Sequence, residues 1–467
     1  MSAFLDSSYR AAPHWMQTAL LSAYGLKLRR LRYRGVHSRV LRELLDSQWL
    51  STDEHLSRQL MLLNAALEDA RRTVPFYRTA RWPRERLSSL DQLRELPILR
   101  KEDVRLAGRT LVSERYVHGP LTEIHTGGTS GKPLTVYCNA ETVQRNYAFF
   151  ERFRRWAGTP DGCRVATFAG RVLMEAHSNG PFWRRNWASN TMLFSSYHIS
   201  PQHLPRYVDA LAAWRPDMID SYPSSVEPVA RHLLATGDTR LRPKAVITSS
   251  ETLFPEVRAV IEQAFGCRVF DHYGSAEMVA LVTQCEHGSY HENPEFGILE
   301  LLKDGIPVPP GEPGEVVATS LINPVMPLIR YAMGDWAIWD DKRCDCGRSM
   351  SVLREIGGRV DDAIVTPDSR VVGRIDPIFK AVSSLFECRV VQDGPDHLRL
   401  EIVSHGEIPS AEIAVLTSGL RDRVGPNMVI DVVRVSSIAR TKGGKLRTVV
   451  NEWMKQKQAV APPPSAD

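Results

Sequence analysis

Between residues 121 and 330, short β-rich runs alternate with longer stretches of helical periodicity, and that alternation restricts the chain to a layered α/β architecture. The runs fall at 165–168, 218–219 and 245–248, and the helical stretches at 226–235 and 255–265. Upstream, residues 36–75 place Leu41, Leu44 and Leu45, then Leu60, Leu63, Ala66 and Leu67, near helical spacing, until Pro75, Pro83 and Pro97 break the pattern. The first 100 residues therefore read as a helical lead-in. Runs at 297–302 and 314–319, separated by a Pro/Gly-rich turn, read as a hairpin. After Gly357-Gly358 a smaller α/β domain begins, with strands near 388–392, 398–403 and 429–435. The expected organisation is a large multi-layered α/β domain over 1–356, a small mobile α/β domain over 357–455 and a disordered, proline-rich tail over 456–467.

The stretch from His125 to Pro133 carries the chemistry. Thr126, Gly127, Gly128, Thr129, Ser130 and Gly131 surround Lys132 and are stopped by Pro133. Glycines let a backbone approach an anion, hydroxyls donate hydrogen bonds, and consecutive amides form a nest for negative charge. The stretch is not a Walker A loop, because only three residues separate Gly127 from Gly131 and a proline follows the lysine. Residues 134–137 read as a strand. A phosphate-holding loop entering a strand and a plain Gly/Ser/Thr surface hairpin are the two readings that this segment alone leaves open.

Four further motifs follow in order: Asp271-His272-Tyr273-Gly274-Ser275-Ala276-Glu277, Leu328 to Asp335, Gly358-Arg359-Val360-Asp361-Asp362, and Arg440 to Arg447. Together the five motifs resemble the adenylate-forming superfamily of acyl-CoA synthetases, luciferases and peptide-synthetase adenylation domains. The match is best to its phenylacetate-CoA ligase branch and, within it, to members associated with capsule polysaccharide gene clusters.

The resemblance implies an adenylate-forming large domain with a small C-terminal domain, and an ATP-dependent activation of a carboxylic acid that releases pyrophosphate. Negative charge then crowds both the attacking carboxylate and the leaving phosphates, so lysine, magnesium and backbone donors must screen it. By resemblance Thr126, Gly127, Gly128, Thr129 and Ser130 wrap the phosphates with Lys132 beside them, and Glu277 is the magnesium ligand. Ser250, Glu251, His272, Tyr273, Gly274 and Ser275 line the nucleotide, Asp335 holds the ribose, and Arg359 approaches ribose and phosphate. Asp361 marks the hinge about which the small domain turns after adenylation. Lys445 is the catalytic lysine that contacts the substrate carboxylate and the α-phosphate. The relatives usually carry Thr or Ser immediately before the motif glutamate, whereas this chain has Ala276. One lost hydrogen bond to a charged group costs ~1.5 to 3 kcal/mol, and Ser275 is the available replacement.

Cys285, His287, His291, Cys344 and Cys346 form a second cluster. The pairs Cys344-x-Cys346 and Cys285 with His291 suit one closed Cys3His zinc site, with His287 as the other candidate nitrogen. Reduced free cysteines and a disulfide are the competing readings. Similar segments recur in the phenylacetate-CoA ligase branch, which implies a structural zinc.

A net charge of +5 over 467 residues requires no nucleic-acid partner, and no run of 18 apolar residues provides an integral membrane segment. No convincing signal peptide is present, so the expected location is cytoplasmic. Residues 26–34 form a basic amphipathic piece that suits either an exposed helix face or the surface of an anionic membrane. The expected cofactors are ATP, Mg2+ and zinc, and the expected partners are a small carboxylic acid, coenzyme A as acceptor and, in a homodimer, a second copy of the chain. Transfer to an amine or hydroxyl acceptor is the alternative activity, and an inactive nucleotide-binding scaffold is the reading from another class.

Overall fold

The computed structural model describes residues 9, 12–79, 82, 85–125, 134–169, 173–174, 178–359, 364–367, 371–372, 382, 385–404, 406–440 and 446–454. The chain is α/β and divides into two compact units, one of Met1–Met333 with Ala337–Ile356 and the other of Gly334–Trp336 with Gly357–Asp467.

The first unit opens with the helices His14–Tyr33, His37–Ser47 and Thr52–Thr73. The third begins at a capping box, in which Ser51 Oγ accepts from the Glu54 amide at 3.3 Å and the Glu54 carboxylate accepts from the Ser51 amide at 2.8 Å. It runs until Pro75 and drives Leu63, Leu67 and Ala70 into the largest core. The antiparallel strands β1 (Thr122–His125) and β2 (Thr135–Cys138) follow, paired His125 with Thr135.

The alternating segment builds β3 (Val165–Ala169), β4 (Trp183–Asn186), β5 (Thr191–Ser195), β6 (Met218–Ser221), β7 (Ala245–Ser249) and β8 (Arg268–Gly274). Strands β5, β3, β6, β7 and β8 lie parallel in that order, with β4 antiparallel at the edge. Helices Leu204–Trp214, Pro223–Thr236 and Pro255–Phe265 each start on a proline at the first or second position, where its missing N–H costs nothing. They bury Leu211, Val229 and Ile261 against Ile219 and Val246 of the sheet. Helix Ala140–Trp156 covers the other face, placing Phe153 and Trp156 on Met218, Ile247 and Phe270. Burial on both faces is why β7 reads as the unbroken apolar run Ala-Val-Ile.

After β8 the sheet turns antiparallel through β9 (Leu281–Gln284) and β10 (Tyr290–Glu292), then continues with β11 (Gly297–Lys303), β12 (Ile306–Pro307), β13 (Pro313–Ser320), β14 (Tyr331–Trp339) and β15 (Val352–Arg359). The hairpin expected from sequence is β11 with β13, in register from Gly297 opposite Ser320. A Cβ at Gly297 would lie 2.1 Å from the Val279 carbonyl oxygen, so only glycine fits there. The order of the thirteen described strands is β12-β11-β13-β14-β15-β10-β9-β8-β7-β6-β3-β5-β4.

A buried ion pair ties the lead-in to this sheet. Arg330 donates to both Glu300 oxygens at 2.9 Å, to the Arg94 carbonyl at 2.9 Å and to the Leu96 carbonyl. Glu300→Ala would leave a buried guanidinium without its counter-charge, and we expect it to cost about 3–5 kcal/mol in urea unfolding. A loss under about 1 kcal/mol would show that the pair is not needed.

In the second unit the described strands are β16 (Ile364–Val365), β17 (Val371–Val372), β18 (Leu385–Gln392), β19 (His397–Ser404), β20 (Val429–Arg434) and β21 (Val449–Asn451). The last four form a sheet ordered β20-β19-β18-β21, on which helix Ser410–Val424 packs Leu416, Leu420 and Val424 against Val390, Leu398 and Leu400. The buried Gln392 amide bridges β16 and β21: its oxygen accepts from the Val365 N–H at 2.8 Å and from Asn451 Nδ2 at 2.7 Å. No helix among the described residues is long and apolar enough to cross a membrane.

Candidate nucleotide and metal sites

In register, Ser221, Thr248 and Asp271 stand side by side, so β6, β7 and β8 end along one carboxyl edge. Open α/β sheets bind ligands in the crevice outside such an edge. The loops that leave it are fixed to one another. Ser250 takes a left-handed φ of +70°, and Glu251 turns back to accept from the Ser224 amide at 3.0 Å and the Ser224 hydroxyl at 2.9 Å. That carboxylate sits at the amino end of helix Pro223–Thr236, where anions are favoured. Both Glu251 oxygens are thus engaged in joining the loops after β6 and β7.

On β8, Asp271 is buried, and it accepts from Thr248 Oγ1 and from Tyr290 Oη at 2.7 Å each. Burial pushes its carboxyl up to about 6. His272 points the other way, edge-on to Phe150 and Phe153 at centroid distances of 5.1 and 5.5 Å. Burial lowers its pKa to about 4, so the ring is neutral at physiological pH, and its Nδ1 has no hydrogen-bond partner among the described residues. Tyr273 packs on the main core, with its hydroxyl 3.5 Å from Met333 Sδ.

Beyond Gly274 the chain exposes Ala276, encloses a Ser275 hydroxyl that has no described partner, and half-buries Glu277. Tyr331 Oη donates to Glu277 Oε1 at 3.2 Å. Tyr331 was legible only as part of the 328–335 motif, and nothing in that spacing says that its hydroxyl orients Glu277. In the second unit, Asp335 is half-buried behind Gly334, whose φ of +78° requires glycine.

Thr126, Gly127, Gly128, Thr129, Ser130, Lys132, Asp361 and Lys445 lie outside the described residues, as does the side chain of Arg359. The loop containing Lys132 connects the paired ends of β1 and β2, so both sequence readings of that segment share a hairpin frame. Several aromatic and basic residues between Phe149 and Trp187 are engaged in holding the fold. Phe168 stacks on Phe194 at 4.9 Å, Trp156 lies beneath Arg348 at 4.3 Å, and Arg184 binds Gln17 and the carbonyls of Pro181 and Trp183.

The cysteine cluster assembles from the β9–β10 turn, β10 and the loop before β15. One ligand atom from each of Cys285, His291, Cys344 and Cys346 lies within 4.8 Å of every other. Cys285 and Cys344 sulfurs are 3.6 Å apart, and Cys346 Sγ is 3.3 Å from His291 Nε2. A tetrahedral zinc separates two sulfurs by about 3.8 Å, and a sulfur from a nitrogen by about 3.5 Å, so the donor set fits that ion. No disulfide joins Cys285, Cys344 and Cys346. The Met350 carbonyl, 3.4 Å from His291 Nδ1, turns Nε2 into the cluster, the orienting bond expected behind a metal-binding imidazole. Burial lowers His291 to about 4, which keeps the nitrogen unprotonated. The amides of His287 and Cys346 point at the sulfurs of Cys285 and Cys344 from 3.3 and 3.5 Å. The exposed His287 ring stands outside the set, so the structure selects His291.

The fold is shared with a CoA ligase of known structure. The structure superposes on a 2-hydroxyisobutyryl-CoA ligase in the postadenylation state in complex with 2-HIB-AMP with a TM-score of 0.64, covering 88% of this chain and 92% of that one at 21% identity. Residues 364–452 match the CapK C-terminal domain family. Protein CapK of Staphylococcus aureus is 25% identical over 77% of this chain and 80% of its own length. A phenylacetate-coenzyme A ligase of Thermus thermophilus is 22% identical over 81% of this chain and 92% of its own length. The chain is thus similar over most of its length to phenylacetate-CoA ligases and to CapK.

Proposed function

We propose that this AMP-forming ligase activates a small carboxylic acid with ATP and passes the acyl group to coenzyme A. The observation that carries the reading is the Glu277 carboxylate, held by Tyr331 at 3.2 Å beside the carboxyl edge of the parallel strands, in a chain homologous to acid-CoA ligases. A carboxylate oxygen of the acid attacks the α-phosphorus of ATP and pyrophosphate leaves. The thiol sulfur then attacks the acyl carbon and AMP leaves.

Thr126, Gly127, Gly128, Thr129, Ser130 and Lys132 hold the leaving phosphates, and Lys445 holds the attacking oxygen against the α-phosphate. Tyr273 lies beside the adenine and Asp335 takes the ribose hydroxyls, with Arg359 nearby. Ser250 lines the base, while Glu251 serves it indirectly by fixing the loop. Magnesium, when bound, screens charge on the phosphates, and Glu277 is the carboxylate that would hold it. Ser275, with its enclosed hydroxyl, replaces the donor absent at Ala276. Zinc held by Cys285, His291, Cys344 and Cys346 is structural, because four protein ligands leave no open position.

Acid-dependent pyrophosphate release across aryl, fatty, amino and hydroxy acids, with and without coenzyme A, tests the reading. Release should require an acid, the thioester should require coenzyme A, and Glu277→Gln should lower kcat/KM about 100-fold. Turnover with an amine in place of the thiol would move the acceptor to that class. ATP binding with no release for any acid would favour a scaffold.

A further inference from the structure

Helix His14–Tyr33 is folded inside out. Its inward side is small and polar: Gln17 binds Arg184 and the Tyr9 carbonyl, and Ser22 Oγ accepts from the Trp187 amide at 3.1 Å. Gly25 sits so close to Asn186 that a Cβ would come within 2.4 Å of its side-chain amide. Arg29 is tied to Asp161 at 2.9 Å. These contacts dock the helix on β4 at the edge of the sheet.

The outward half of the same helix presents Trp15 at 71% exposure, Leu20 at 50%, Leu26 at 44% and Tyr24 at 40%. Lys27 and Arg30 stand among them, also exposed. At 3.6 residues per turn these six residues share one half of the circumference, opposite Gln17, Thr18 and Gly25. Trp187, 60% exposed, lies beside the Ser22 turn. Residues 7–42 contain eight Lys and Arg and no Asp or Glu, a net +8 against +5 for the whole chain, so the remainder is net negative.

We infer that this face seats the protein on a lipid bilayer surface containing anionic lipids. Leucine and indole side chains suit the boundary between headgroups and acyl chains, and lysine and arginine on the same face complement headgroup phosphate. Arg29 is neutralised by Asp161, whereas Lys27 and Arg30 stay exposed on the outward face, which favours an approach with this helix toward the anionic surface. The inference does not depend on the adenylating reading.

The test is flotation of the full chain with phosphatidylcholine vesicles, with and without phosphatidylglycerol. Binding should appear only with phosphatidylglycerol and weaken in high salt. It should fall more than about tenfold both in Lys27→Glu/Arg30→Glu and in Trp15→Ser/Leu20→Ser. All four side chains are exposed, so thermal midpoints should hold. Absence of vesicle binding, or binding unchanged in both variants, overturns the proposal. A dimer in light scattering that Trp15→Ser/Leu20→Ser dissociates, with no vesicle binding, overturns it in favour of contact between copies.

Discussion

Lys445→Ala should lower acid-dependent pyrophosphate release by about 10²–10³-fold while ATP binding changes little. The attacking carboxylate and the α-phosphate are both negative, and of the described side chains near Glu277 Tyr331 is neutral and His272 is held neutral by burial. The family motif assigns the missing charge to Lys445, whose compact ammonium suits an oxyanion, with Gly443 and Gly444 before it. The decisive feature is the split between half-reactions. On the proposed division of labour, in which that lysine serves adenylation, the mutant given preformed acyl-adenylate should still transfer the acyl group to coenzyme A at near the normal rate. Equal loss of both steps would show that the substitution acts through structure.

Cys346→Ala should reduce bound zinc from one per chain to a trace and lower the thermal midpoint by about 5–10 °C. The four donors join the turn after β9 to the loop before β15, and they lie in the core that also contains Phe153, Trp156 and Met350. Removing one sulfur undoes the closed tetrahedron and leaves buried polar atoms without the ion. Arg348, paired with Glu286 at 2.9 Å and lying 4.3 Å from Trp156, belongs to the same region, so the loss should spread to it. Cys267→Ala, outside the donor set and packed on a different core, should leave the metal content unchanged. Metal analysis and scanning calorimetry read both; a protein without zinc whose midpoint is unaffected by Cys346→Ala would refute the assignment.

Much of this architecture was legible in advance because it is local. The short β-rich run marked β7, helical periodicity marked the helix after it, Pro255 marked that helix's start, and the Pro/Gly turn marked the hairpin of β11 and β13. Cys344-x-Cys346 announced a metal-like pair because the two sulfurs are brought together by their own turn. The partner nitrogen was not settled by spacing, since His287 and His291, two and six residues after Cys285, are both near enough to join it. His291 is buried on β10, whereas His287 lies in the exposed turn before it.

The sequence by itself determined the α/β layering, the order of the five motifs and the set of candidate ligands, since each depends on neighbours within a turn or a strand. Only the tertiary structure decided which polar residues are engaged in holding the fold. Arg330, inside a motif that reads as nucleotide-binding, proves to be locked to Glu300, and Glu251 is turned back on Ser224. The same is true of the first helix, which turns Gln17 and Thr18 inward and Trp15 and Leu20 outward, against their hydropathy. Periodicity states that a helix has two faces, but which face is buried is set by Arg184, Asn186 and Trp187, more than 150 residues away along the chain.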